Sequence, residues 1–188
     1  NLHDQRTLFA AGEENHPATI SFLAPSFNEA RDVNGVRKTA MQIIVEIVDE
    51  LKNYIPNQIG RFDDSFNLNC IGDRITNLGV PTILFEAGHF PGDYEREETR
   101  KITFIAILKA LLAIKNSEYL NRNIEEYIII PENKKLLNDI LLKNVRFITN
   151  NKTEVKNLGI QYKEELKLNK ISFFPIYDID LVKNHQFG

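Results

Sequence analysis

The sequence has little cysteine, little net charge and no long apolar segment, and each shortage excludes a class of protein. A single cysteine, Cys70, excludes an internal disulfide and a cysteine-based zinc cluster, and it favours a reducing compartment such as the cytoplasm. We interpret Cys70 as a small core residue, because no cationic neighbour is evident that would activate its thiol. The net charge of −3 gives no electrostatic basis for nucleic-acid binding. The longest apolar segment, residues 102–114, is interrupted by Lys109, so no membrane span is predicted.

Several motifs of well-known chemistries are also missing from the chain. It contains no Gly-rich phosphate loop, no Gly-x-Ser-x-Gly nucleophile turn and no His-Glu-x-x-His helix. A length of 188 residues and a hydrophobic content of 43% nevertheless suit a globular protein with a sizeable core. The candidate functional residues are therefore polar residues at the ends of predicted strands.

Apolar periodicity predicts an α/β architecture in the first part of the chain. Residues 18–24 form a predicted strand, and three- and four-residue apolar steps predict helices over 34–54 and 94–115. The second helix has a wide apolar face that includes Leu108 and Leu112, and we expect this face to pack across a sheet. A short helix is predicted over residues 72–79, closed by a C-terminal glycine.

The character of the sequence changes after Ile114, and residues 116–188 are interpreted as a small appended α+β region. Strands are predicted over 127–131 and 145–148, a short amphipathic helix over 134–142, and a β-hairpin over 160–177. Before the change, the alternating residues 66–71 suggest a further short strand.

The segment from Gly79 to His89 has the most unusual pattern in the chain. Val80 to Phe85 is a short apolar, β-branched and aromatic run that predicts a buried strand, and it leads directly into Glu86. A carboxylate at the carboxyl end of a buried strand lies where α/β sheets place ligands. The alternative is that Glu86 merely faces solvent. His89 follows in the turn, either lining a pocket or having no functional role.

A second polar cluster follows Leu2, which we interpret as the last core residue of a strand. His3, Asp4, Gln5 and Arg6 follow it without interruption. Since strand ends of one sheet can be neighbours in space, His3 and Glu86 together would suit metal-assisted hydrolysis, with a histidine ligand and a glutamate base. Arg6 is interpreted either as a cation that binds substrate or as a partner in a plain salt bridge.

These two segments resemble the C-terminal half of zinc carboxypeptidases of the carboxypeptidase A type. The segment Asn-Leu-His-Asp-Gln-Arg, followed at this distance by Pro-Thr-Ile-Leu-Phe-Glu-Ala-Gly-His, carries the resemblance, which covers residues 1–115. It implies that His3 is the third zinc ligand and that Glu86 is the catalytic base. Asp73 and the Asn77–Gly79 segment match the family pattern loosely. The implied fold is part of a zinc-carboxypeptidase-like mixed sheet with flanking helices, followed by the small C-terminal α+β extension.

The resemblance implies a zinc metallocarboxypeptidase that acts on a peptide or an acylated amino acid. The family's other two zinc ligands belong to a His-x-x-Glu motif, which occurs nowhere in this chain. Its active-site tyrosine should lie several residues before Asp73, where this sequence has Phe62, Ser65 and Phe66. We therefore expect no competent zinc site in the chain by itself, and we expect the chain to be the C-terminal part of a longer protein. Such a part would expose a sheet edge and an apolar helix face, which favours a homodimer.

Two other interpretations remain open at this point. The chain could be a non-catalytic binding module on the same fold, which the missing tyrosine favours. It could also be a plain α/β interaction domain in which the histidine and the glutamate occur by accident. The second alternative predicts that His3 and Glu86 do not converge on a shared site.

Overall fold

Local sequence patterns build helices and strands that group into two compact units, residues 1–134 and residues 135–188. The structure is a computed structural model, and it describes residues 1–149, 152–178 and 185–186. The change in sequence character predicts a boundary after residue 115. In the structure, residues 116–134 belong to the first unit.

A four-stranded mixed sheet organises the first unit, and its strand order is β1-β5-β3-β4. β1 runs parallel to β5, β3 runs antiparallel to β5, and β4 runs parallel to β3. A separate two-stranded pairing joins β2 to β6. The strands of this unit are Leu2–Asp4 (β1), Ala10–Ala11 (β2), Ile20–Leu23 (β3), Ile59–Arg61 (β4), Leu84–Ala87 (β5) and Asn133–Lys134 (β6). The prediction of an α/β protein with a mixed sheet is confirmed at this level.

Four α-helices accompany the sheet. Three of them correspond to predicted helices, and their ends lie within about one turn of the predicted ends. The four helices are Gly35–Leu51 (α1), Ile71–Asn77 (α2), Glu97–Asn116 (α3) and Ile124–Ile128 (α4), with a 3₁₀ helix at Glu118–Asn121. α1 begins where the Asn34 side chain accepts a hydrogen bond from the backbone N–H of Arg37 at 3.0 Å, which satisfies a donor of the first turn. Among the residues with described structure, none of the helices combines the length and apolarity that crossing a bilayer requires.

The main core lies between the sheet and the helices α1 and α3. The rings of Phe22 on β3 and Phe85 on β5 meet edge to face with their centroids 5.4 Å apart. Ile44 of α1, together with Ile102 and Ala106 of α3, is buried in the same cluster. Because burial of such side chains removes apolar surface from water, this cluster supplies the main stabilisation of the first unit.

Part of the apolar face of α3 does not pack as predicted. Leu108 and Leu112 remain exposed, at 46% and 42%, because α3 turns its small buried residues toward the core instead. Phe104, Leu111 and Ile114 are exposed on the same helix. The helix therefore carries an apolar surface that the described chain does not cover.

The second unit consists of long antiparallel strands in the order β10-β9-β8, with a short parallel pair, β7 and β11. Its strands are Leu137–Asn138 (β7), Ile140–Thr149 (β8), Lys152–Lys167 (β9), Lys170–Asp178 (β10) and His185–Gln186 (β11). The predicted hairpin is confirmed, since β9 and β10 pair across Leu168 and Asn169, which both have positive φ. The predicted strand over 145–148 lies within β8.

Three predicted elements and one residue assignment are wrong. In place of the strand over 127–131, the chain forms the last two residues of α4 and a turn after it. Glu126 stabilises the start of α4 by accepting a hydrogen bond from the Asn123 N–H at 2.9 Å. The helix over 134–142 is replaced by short strands, because β7 pairs with β11. Residues 66–70 form a loop with a turn, not a strand, and α2 begins at Ile71. Asn67 accepts hydrogen bonds from the N–H groups of Asn69 and Cys70 in this turn. Cys70 is exposed and not in the core.

Candidate functional site

Strands β1 and β5 place His3 and Glu86 side by side. The two residues are direct partners in the parallel register, so their side chains project from the same face of the sheet. His3 Nδ1 lies 3.4 Å from Glu86 Oε1. The prediction that these two strand residues are spatial neighbours is confirmed. The hypothesis of an accidental pair predicts that the two residues do not converge, and this expectation is wrong.

Strand β5 begins later than predicted and contains Glu86 instead of ending before it. Pro81 has no backbone N–H to donate to a ladder, and the regular strand begins only at Leu84. Glu86 is consequently enclosed between β1 and β3 and is only 7% exposed. The alternative, that Glu86 merely faces solvent, is wrong.

Burial changes the acid–base chemistry of Glu86. Loss of hydration raises the pKa of the Glu86 carboxyl above its ordinary value, and the negative charge of Asp4 acts in the same direction. The His3 imidazole opposes this by favouring the carboxylate. The result is a buried carboxyl group with a raised pKa beside a half-exposed imidazole, which is a pair suited to accept and return a proton.

The second ring nitrogen of His3 is held by the side chain of Asn1. His3 Nε2 lies 3.1 Å from Asn1 Oδ1. Asp4, the acidic neighbour of His3 in sequence, instead binds Arg6 at 2.8 Å and Arg96 at 2.9 Å. Asn1 therefore orients the imidazole, and Arg6 takes part in a salt bridge, as its plainer interpretation predicted.

Glu86 belongs to a row of residues that crosses the whole sheet. His3 pairs with Glu86, Glu86 with Ser21, and Ser21 with Gly60. The Ser21 hydroxyl donates to Asn133 Oδ1 at 2.9 Å, and a Cβ on Gly60 would lie 2.0 Å from that same oxygen. The amide of Asn133 therefore covers one end of the row, while His3 lies at the exposed end.

Gly88 has a packing reason to be a glycine. A Cβ at this position would lie only 2.0 Å from the carbonyl oxygen of Ala18, which is backbone and cannot rotate away. The close approach allows the Gly88 N–H to donate to Thr19 O at 2.9 Å. His89 then follows, with its Nε2 3.1 Å from the carbonyl oxygen of Arg6. His89 thus connects the two chain segments just beyond the site.

Gln5 is a site residue that the sequence did not single out. Its backbone N–H donates to Ala87 O at 2.8 Å, which continues the β1–β5 ladder past His3. Strand alternation places Gln5 on the same face as His3, and the residue is only 6% exposed. Within the described part of the chain, no donor bonds to its buried side-chain oxygen. Its burial depends on the ladder to β5, which no local pattern reveals.

Asp73 lies in the first turn of α2 and is buried. Burial raises the pKa of its carboxyl, while backbone N–H groups, first that of Ser26 and then that of Asn67, oppose the shift by hydrogen bonding. These contacts tie α2 to the ends of two loops. Asp73 is thus a structural residue in the described contacts, and its loose match to the family pattern adds no donor to the pair of His3 and Glu86.

The donors present do not complete a zinc site. A catalytic zinc takes three protein ligands and keeps a fourth position open. Among the side chains that the structure describes, no group of three or more histidine, cysteine, aspartate or glutamate residues is placed to hold a metal ion. His3 and Glu86 supply two donors, and the absence of a competent zinc site from this chain alone stays an expectation.

A groove lies beside the same sheet edge, on the side of α3. Its volume is about 590 Å³, and its lining combines the apolar Leu2, Phe85 and Phe104 with the charged Arg96 and Arg100. Comparison of the chain with protein-family models, with curated proteins and with solved structures finds no match. The site is therefore interpreted from its own geometry and from the sequence resemblance.

Proposed function

We propose that this chain carries part of the hydrolytic centre of a zinc-metallocarboxypeptidase-like amide hydrolase. In this proposal, residues 1–115 are the C-terminal half of a carboxypeptidase-like α/β domain, Glu86 is its general base and His3 is one ligand of its metal. The observation that carries the proposal is the contact of the buried Glu86 carboxyl with His3 at 3.4 Å on adjacent parallel strands.

Glu86 is suited to move the proton that amide hydrolysis requires. As a carboxylate it takes a proton from a water molecule, whose oxygen forms the new bond to the amide carbon. The protonated Glu86 then gives the proton to the departing nitrogen as the carbon–nitrogen bond breaks. Burial raises the pKa of the Glu86 carboxyl, which moves it in the direction that favours a general base at neutral pH.

The resemblance implies that the substrate is a peptide or an acylated amino acid with a free carboxylate. Arg6 and Arg96 are both bound to Asp4 in the structure. The cation that would hold the substrate carboxylate is therefore expected elsewhere in the complete centre, together with the remaining metal ligands.

The direct test compares Glu86→Gln with the unaltered protein expressed from its natural gene and supplied with zinc. Amine release would be followed for C-terminally free peptides and for N-acyl amino acids. We expect Glu86→Gln to lower the rate by about 100-fold or more, since general bases contribute about 10²–10⁴-fold. Glu14→Gln, on the exposed loop after β2, is the matched control and leaves the rate unchanged. Hydrolysis that survives in Glu86→Gln refutes the proposed role, and so does a zinc-loaded protein inactive on every substrate.

The groove beside β1 favours one alternative, a non-catalytic module that binds a peptide on the same fold. Its apolar lining and its volume of about 590 Å³ are suited to a few side chains. Under this alternative, Phe104→Asp abolishes peptide binding, Glu86→Gln leaves it intact, and no substrate is hydrolysed. Phe104 is 66% exposed, so its replacement leaves the core unchanged.

A further inference from the structure

Strand β1, which carries His3, is joined to the described sheet on one side only. It is the terminal strand, it is three residues long, and all three of its residues are exposed. At one end of β1, the Phe85 N–H donates to Asn1 O at 2.8 Å. At the other end, the Gln5 N–H donates to Ala87 O, also at 2.8 Å. Because a short edge strand with few bonds opens easily, the place of His3 depends on further contacts that hold β1 against β5.

The guanidinium of Arg96 joins the two strands from outside this ladder. Its Nη2 donates to the carbonyl oxygen of Ala87 at 2.6 Å and lies 2.9 Å from Asp4 Oδ1. Ala87 follows Glu86 in the chain, and Asp4 follows His3. Arg96 therefore bonds to the residue directly after each member of the candidate pair. The carbonyl oxygen of Ala87 accepts this bond together with its ladder bond, which its two lone pairs allow.

The start of α3 fixes the place from which Arg96 reaches β1. Arg96 has a φ of 63°, in the left-handed region that residues other than glycine, asparagine and aspartate rarely adopt. The Asp93 side chain, in the same turn, accepts hydrogen bonds from the N–H groups of Glu97 at 2.8 Å and Thr99 at 3.1 Å. The Arg96 side chain is only 20% exposed, so water and salt screen its bonds less than those of a fully exposed arginine.

A second arginine, Arg6, also binds Asp4, at 2.8 Å, but it does not span the two strands in this way. Arg6 belongs to the same chain segment as Asp4, and its side chain is 71% exposed. An exposed ion pair within one segment contributes little to holding two strands together. The Arg96 guanidinium contacts both segments.

We propose that Arg96 is a positioning residue of the candidate site, which holds β1 against β5 and so keeps the His3 imidazole in contact with the Glu86 carboxyl. Arg96 acts through Asp4 and the Ala87 carbonyl, and no proton passes through it. Its consequence for catalysis rests on the proposed function, in which a misplacement of about 1 Å can cost about 10²-fold in rate.

The first measurement is amide hydrogen exchange of Gln5 by NMR spectroscopy. Arg96→Asn removes the guanidinium and keeps a residue type that tolerates positive φ. We expect the Gln5 N–H, which donates to Ala87 O, to exchange about tenfold faster or more, since a charge-assisted hydrogen bond that supports the ladder is lost.

The ring resonances of His3 report the contact itself. At one fixed pH, Glu86→Gln should shift these resonances in the unaltered chain, because it replaces the group that lies 3.4 Å from His3 Nδ1. In the Arg96→Asn chain, the same substitution should shift them by about half as much or less, since the two side chains no longer stay in contact. A role in overall stability alone would leave the shift undiminished.

Arg31→Asn is the matched control. Arg31 has a φ of 59°, and its guanidinium bonds to Asp64 and Ser65 in the loop after β4. It should leave both measurements unchanged. If Arg96→Asn does not fold, as judged by circular dichroism, Asp4→Asn removes the ion pair alone and should cause the same two changes to a smaller extent. Unchanged Gln5 exchange, or an undiminished His3 shift, in the folded variant overturns the positioning role.

Activity of the protein from the natural gene separates this role from the proposed function. We expect Arg96→Asn to lower kcat by about 10–100-fold and to change KM by less than about threefold, whereas Arg31→Asn changes neither. Full kcat in Arg96→Asn overturns the positioning role and leaves the hydrolase proposal intact. A protein that hydrolyses no substrate overturns the proposed function, and the exchange and ring measurements then decide by themselves whether Arg96 holds the pair.

Discussion

Replacing Gly88 with alanine tests how tightly the segment after Glu86 is held against β3. The added Cβ would lie 2.0 Å from the carbonyl oxygen of Ala18 and 3.2 Å from that of Thr19. The first distance must grow by more than about 1 Å to reach ordinary contact, and both neighbours are backbone atoms. The strand end must therefore move away from its partner.

That movement breaks the hydrogen bond from the Gly88 N–H to Thr19 O, which is 2.9 Å long. Leaving buried backbone groups unpaired costs about 1–3 kcal/mol, and displaced packing around Glu86 adds to it. We expect Gly88→Ala to lower the free energy of unfolding by about 3 kcal/mol. Urea denaturation followed by far-ultraviolet circular dichroism would measure the change.

Gly35→Ala is the matched control for this experiment. Gly35 is the first residue of α1, and a Cβ there meets no atom within 4 Å. We expect the control to change the free energy of unfolding by less than about 0.5 kcal/mol, or to raise it. If Gly88→Ala is as stable as Gly35→Ala, the close approach of the two backbones does not exist and the geometry around Glu86 is wrong.

Three further predictions follow from the described contacts. Tyr127→Phe should lower the free energy of unfolding by about 1–3 kcal/mol, because the buried Tyr127 hydroxyl accepts the N–H of Ala24 at 3.1 Å, and urea denaturation would measure this. Leu168→Asn should raise the free energy of local opening of the hairpin by about 0.5–1 kcal/mol, because the fully exposed Leu168 has a φ of 50° that asparagine tolerates better. Slower amide exchange in the hairpin would measure this change. Glu86→Gln should gain stability relative to the unaltered protein as the pH rises. Since folding raises the pKa of Glu86, the stability that its protonated carboxyl contributes is fully present below the unfolded pKa and is lost as the pH rises through the folded pKa. Urea denaturation at a series of pH values would measure this trend.

The controls and contrary outcomes differ for each of these. Tyr54→Phe removes a hydroxyl from a half-exposed ring and should be neutral, so equal losses from both tyrosine variants would refute the Tyr127 bond. Glu14→Gln should show no such pH trend. Parallel pH profiles for Glu86→Gln and the unaltered protein would mean that Glu86 is solvated. Faster exchange in Leu168→Asn would mean that the turn has a different conformation.

The elements that the sequence predicted well are those whose periodicity is long or whose turn is distinctive. The helix predicted over 34–54 contains the observed α1. It was predictable because its apolar stripe spans several turns and Asn34 provides a cap. The hairpin around Leu168 and Asn169 was predictable because two β-rich runs flank a short polar connection. The contact of His3 with Glu86 was predictable because both residues follow apolar strand residues.

Short apolar runs were predicted wrongly, because the sequence patterns of a helix and of a strand differ little over five to nine residues. Residues 127–131 contain three consecutive isoleucines, yet the capping contact between Asn123 and Glu126 begins a helix just before them, and that helix ends at Ile128. Pairing of Leu137 with a residue near the C-terminus overrides the helical spacing over 134–142. At the site, the burial of Gln5 depends on a ladder to a strand far away in the sequence, so no local pattern could reveal it.

The parallel pairing of β1 with β5 has a consequence for biosynthesis. β1 emerges from the ribosome well before β5, which follows only after about eighty more residues, because helices α1 and α2 and two other sheet strands lie between them in the chain. At about 5–20 residues per second, β1 waits roughly 4–16 s for its partner. During this time β1 lacks the strand that it will pair with in the sheet, and the pair of His3 and Glu86 cannot exist until β5 has formed.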